Sequence, residues 1–138
     1  MTRRGPRKPV DADYWKGRLD VARGFLNAAR QDAELAGPGA PANPILSHIV
    51  MAAIAYGDTA TGFLAQVVNQ QDHRTAARLL REVLGNALSA EHERAFQRLL
   101  GSKDAAQYGA RPIRLQEVNS RLADLEKIAQ FVEDLVRG

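Results

Sequence analysis

The sequence predicts an all-α fold, an up-and-down bundle of about five helices. Three observations carry this. In segment after segment, apolar residues recur at gaps of three and four, the spacing that lines one face of a helix. No segment alternates apolar with polar residues or clusters β-branched ones as strands do. Breaks bearing Gly or Pro, at 37–41, at Gly85-Asn86 and from Gly109 to Pro112, cut the chain into helix-length pieces with mostly short connections.

The first helix is expected from Asp11 to Ala36, where Trp15, Leu19, Ala22, Leu26, Ala29 and Ala33 step along one face. GPGAP then stops it, because Pro lacks a donor and restricts its predecessor while Gly accepts left-handed geometry. A second helix opens with Asn43 as N-cap and Pro44 in the first turn. It continues through Phe63 and Val67 to about Gln70. Its first half, PILSHIVMAAIAY, is apolar nearly all round, which suits the centre of a bundle. Those thirteen residues are too few to span a bilayer. Gly57 is a weak point in this helix, and Asp58 is a polar insertion.

Asp72 is placed to cap a third helix carrying Ala76, Leu79, Leu80, Val83 and Leu84, which ends at Gly85-Asn86. Ser89, with Glu91 and Glu93 behind it, opens a fourth, since a hydroxyl cap and early acids satisfy free N–H groups and the helix dipole. The last helix follows Pro112. There Val118, Leu122, Leu125, Ala129, Val132 and Leu135 step by gaps of four and three.

A chain of 138 residues fits one domain, 11–138, large enough to remove roughly two thirds of its unfolded surface from water. The absence of cysteine excludes disulfides and thiolate metal sites and leaves a cytoplasmic setting as the default. Net charge is +3, but with Arg3, Arg4, Arg7 and Lys8 set aside the 19 Lys and Arg fall to 15, against 16 Asp and Glu. The basicity belongs to a tail, residues 1–10, expected to be disordered and solubilising; no apolar run behind its twin arginines makes it a signal peptide.

Motifs for chemistry are sparse. His48, His73 and His92 fall on three different helices without partners at ligand spacing, so no metal site is expected. Walker, GxGxxG and GxSxG patterns are absent, and no cofactor is implied. A helix-turn-helix over 74–100 would begin its second helix with acids, which repel phosphates at the end that normally approaches DNA. Residues 73–114 are nevertheless basic: seven arginines and Lys103 face Glu82, Glu91, Glu93 and Asp104. Gathered on one face, that surplus would hold an RNA backbone or a nucleotide phosphate; dispersed, it is a solvated helix surface.

Three stretches, "ILSHIVMAAIAYGD", "QDHRTAARLLREVLG" and "RLLGSKDAAQYG" with the later "LADLEKIAQFVEDLV", resemble the HEPN (higher eukaryotes and prokaryotes nucleotide-binding) superfamily over roughly 12–137. The resemblance implies a short bundle that commonly pairs as a homodimer. Many members are metal-independent RNases, often toxins of toxin–antitoxin pairs, marked by an Arg and a His with four to six residues between them. Members without the motif bind RNA, nucleotides or protein partners. Here the best-matching positions hold Lys103 and Tyr108, and no Arg precedes a His at that distance. Cleavage through the RNA's own 2′-hydroxyl needs a proton acceptor poised near neutrality, which Tyr, with a pKa of about 10, is not. The resemblance therefore implies a non-catalytic binding module for RNA, a nucleotide or a protein, in a toxin–antitoxin or stress-response setting. The alternative is an RNase with an atypical site, using His73 as base and Lys103 or Arg111 on the phosphate.

Lys103 and Tyr108 stand about 140° apart on a straight helix. Tyr108 is expected to pack its ring into the core and tie its hydroxyl to a buried acid or carbonyl. A carboxylate in the most buried helix needs a partner. Hence a buried polar cluster of Asp58, His73, Lys103 and Tyr108 is expected, with Arg111 beside it as a candidate ligand-binding residue.

Overall fold

The computed structural model describes residues 7–70 and 73–138. The chain is an all-α bundle of helices α1 (Ala12–Leu35), α2 (Asn43–Ala65), α3 (His73–Leu84), α4 (Ala90–Gly101), the short α5 (Lys103–Gln107) and α6 (Leu115–Arg137). Residues 1–6 of the expected tail, and the expected cap Asp72, lie outside the described residues.

α1 starts where its cap predicts, with Asp11 Oδ1 accepting the Tyr14 N–H at 3.0 Å. It buries Leu19, Ala22, Leu26 and Ala29 against α2. α2 is the central element, touching α1, α3, α4, α5 and α6. Its buried residues surround it from Ile45 to Gly62, as its near-continuous apolarity requires. Cross-helix contacts set the directions: Arg18 meets Asp58 while Phe25 meets His48, so α1 and α2 are antiparallel. Likewise Arg23 meets Glu133 and Arg30 meets Glu126, so α6 runs against α1. Among the described residues no helix is long and apolar enough to cross a membrane.

Gly57 is a contact point. A Cβ there would lie 2.8 Å from Cζ of Phe96, so the missing side chain lets the α4 ring lie against the α2 backbone. Ser89 caps α4 as expected, accepting the His92 N–H at 3.0 Å.

Three expectations need correction. α2 does not reach Gln70: Gln66 takes left-handed geometry (φ 54°) and its N–H closes onto Gly62 O, ending the helix. The chain then forms a strand, β2 (Val67–Asn69), antiparallel to β1 (Arg7–Pro9), with Lys8 opposite Val68. Residues 7–9 of the expected tail are therefore ordered structure. The following Val10 N–H also reaches Gln66 O at 2.8 Å, and Arg7 pairs with Glu82 of α3 at 2.8 Å. Strands of three residues are too short for any periodicity to be legible, and the ladder is held instead by the fully buried Val68 and this long-range ion pair.

The third concerns Asn43, which does not cap α2. The N-cap position is Ala42, with no side-chain cap. Asn43 Oδ1 instead accepts the Ile113 N–H at 2.8 Å while Ala42 N–H donates to Ile113 O at 2.9 Å. A side chain satisfying a distant loop is not available to its own helix end.

Candidate functional site

Asp58 finds its partner on α1. Arg18 Nε donates to Asp58 Oδ2 at 3.0 Å, and the carboxylate side chain is only 12% exposed. Burial pushes its pKa up to about 6, outweighing the pull of the Arg18 and Lys8 charges. His73, Lys103 and Tyr108 make no bond to it. The 103–113 stretch docks at the other end of α2, where Gln107 Nε2 meets Ser47 Oγ at 3.3 Å and Asn43 holds Ile113. Ser47 and Asp58 are separated by roughly 16 Å of helix rise. The predicted polar cluster is not assembled, because the antiparallel run of α1 brings Arg18 to the level of Asp58 and the chain delivers α5 elsewhere.

Tyr108 does not enter the core either: it is 78% exposed. α5 ends just before it, and the residue that α5 buries is Ala106. Lys103 begins α5 and is half-buried. Arg111 is exposed and grips Glu117 with two hydrogen bonds of 2.8 and 3.1 Å.

His73 lies in a different setting. Together with Arg74, Arg78, Arg81, Glu93 and Gly101 it lines a groove of about 420 Å³ between α3 and α4. Arg81 is committed: it takes both Glu93 oxygens, at 3.1 and 2.9 Å, and donates to Gly85 O at 2.6 Å. That hydrogen-bonded guanidinium holds Glu93 below the usual carboxylate range. Arg78 is exposed and pairs with no acid among the described residues. Glu93, the one carboxylate among the described residues lining the groove, is thus paired within it, and Arg78 stays exposed.

Gly101 also lines a second groove, of about 380 Å³, with Ser102, Arg111 and Arg121. Beneath it Asp124 is buried on α6, accepting two hydrogen bonds from Arg98 at 3.0 and 2.8 Å and lying 3.2 Å from Arg121. The Nε of Arg121 is buried without a hydrogen-bond partner among the described residues. Sequence reasoning missed Asp124, although it stands directly beside the apolar position Leu125; Arg121, three residues before it, was the available local hint. The two grooves therefore adjoin at Gly101, at the end of α4, the second with its arginines paired to Glu117 and Asp124.

No protein-family model and no curated protein matches the chain.

Proposed function

We propose that the protein is a non-catalytic, HEPN-like binding module that holds RNA by its phosphates along the groove between α3 and α4. The observation that carries this reading is Arg78, an exposed guanidinium without an acid among the described residues, in a groove where Glu93, the one carboxylate among the described lining residues, is already taken by Arg81. Arginine is suited to phosphate because its planar fork donates two parallel hydrogen bonds. The non-catalytic part rests on Tyr108 standing where the resembled RNases carry an imidazole. Homodimer formation and a toxin–antitoxin or stress-response setting rest on that resemblance as well.

A second reading is favoured by one observation: His73 lines the same groove as the exposed Arg78, so an imidazole and a guanidinium lie on one surface. Fluorescence anisotropy with a labelled single-stranded RNA, read between 50 and 200 mM salt, separates the readings. Binding should weaken with salt, and Arg78→Ala should lower affinity about tenfold and flatten the salt slope by about 0.7. Failure to bind at 50 mM salt would remove the proposal. Metal-independent release of 2′,3′-cyclic phosphate ends that is lost in His73→Ala would replace it with the enzyme.

A further inference from the structure

A separate slot opens between α1 and α6, with Tyr56 of α2 on its floor. Its volume is about 480 Å³, within the range of small-molecule sites. Two ion pairs frame it. Arg23 holds both oxygens of Glu133, at 2.7 and 2.6 Å, and one heptad away Arg30 Nε holds Glu126 at 2.7 Å. Between these bars the floor is Tyr56 flanked by buried Leu26 and Ala129.

Tyr56 is the anomaly. The residue is 1% exposed and its hydroxyl makes no hydrogen bond to any described residue, yet it is not among the fully buried polar atoms without a partner, so the hydroxyl opens onto the slot. A tyrosine hydroxyl at such a site ordinarily finds a partner. Burial, reinforced by Glu133, pushes its pKa up to about 12, so the hydroxyl keeps its proton and is available as a donor.

The rest of the slot is rich in unspent donors. Among the described residues Arg30 hydrogen-bonds only through Nε, and Arg137 at the slot's edge forms no hydrogen bond or ion pair, although its charge acts on Glu133. Both oxygens of Glu133 are occupied. Three arginines against two glutamates leave the lining with a surplus of one positive charge. A neutral ligand would leave these donors without a charged acceptor, and a cation would meet the surplus of like charge.

We propose that this slot is a binding site for a small organic anion, whose carboxylate or phosphate group accepts hydrogen bonds from the Tyr56 hydroxyl, Arg30 and Arg137 while its apolar body lies against Leu26 and Ala129. The site is independent of the α3–α4 groove.

The test is an amide-resolved NMR titration of the full chain with sodium benzoate and, in a second arm, with inorganic phosphate, using benzamide as the uncharged control. Amides of 23–30 and 126–137 should shift with at least one anion and not with benzamide. A response to benzoate alone assigns a carboxylate, and one to phosphate alone assigns a phosphate. Tyr56→Phe keeps the ring; its melting temperature should equal that of the parent, because no internal bond is lost, while anion affinity falls about tenfold. Arg137→Ala should weaken the same response. The proposal is overturned if neither anion perturbs these amides, if benzamide acts alike, or if Tyr56→Phe binds as the parent does. It is also overturned if Tyr56→Phe melts lower, since the hydroxyl would then serve the fold.

Discussion

Arg18 and Asp58, forty residues apart in sequence, meet at 3.0 Å across the α1–α2 interface, and Asp58 is the more deeply buried of the two. Because burial dominates over pairing, the folded carboxyl holds its proton more tightly than the unfolded one, with a pKa of about 6 against an ordinary 3.8. A raised acid pKa favours the folded state at low pH, and that advantage is lost as pH rises through this window. The stability of Asp58→Asn relative to the parent should therefore climb between pH 4 and 7, by on the order of 2 kcal/mol. Denaturant melts of both proteins across that range measure it; a constant difference would mean that Asp58 does not titrate there.

Two helical glycines make a contrasting pair. Gly24 of α1 has open space where a Cβ would go, whereas at Gly57 a Cβ would come within 2.8 Å of the Phe96 ring. Gly24→Ala should stabilise by about 1 kcal/mol through helix propensity alone. Gly57→Ala should destabilise by roughly 2 kcal/mol because the propensity gain is smaller than the overpacking cost. In a Phe96→Leu background that cost should largely disappear, a coupling readable from a double-mutant cycle.

Asn43 fastens the 105–113 segment to the start of α2, through Ile113 N–H at 2.8 Å and weaker bonds to Ala105 O and Arg111 O at 3.5 and 3.4 Å. Asn43→Ala should cost about 1–2 kcal/mol and speed hydrogen exchange at the Ile113 amide well beyond its effect in α1.

Asp124→Ala would strand Arg98 and Arg121 around a buried space. Because Arg98 is 41% exposed and can turn to water, we expect a loss of about 2 kcal/mol, less than for a fully buried triad. Arg98→Ala should cost less, since Arg121 still reaches the carboxylate. Urea midpoints at pH 7 give both values.

What was legible in the sequence was whatever depends on neighbours along the chain. The face of α1 from Leu19 to Ala29, the Ser89 cap and the seam of α6 through Val118, Leu125 and Val132 all follow from spacing within one helix. What was not legible depends on which distant segment arrives. Nothing local distinguishes Arg18 from other arginines as the partner of Asp58, or marks Asn43 as a clamp rather than a cap. Tyr108 misled for a related reason: an aromatic near a helix end reads as core, but α5 stops after Gln107 and leaves the ring outside. The anomaly of Tyr56 is a missing bond, which no residue pattern can display.

The two pairs bridging α1 and α6 place both arginines on α1 and both glutamates on α6, seven residues apart on each helix. Sliding α6 by one turn, about 5.4 Å, would break both bridges at once, and sliding it by two would rejoin only one of them. The doubled spacing works like a vernier: misaligned dockings of the final helix are penalised together, so the bundle closes in a single alignment even though its apolar seam, repeating every turn, would tolerate several.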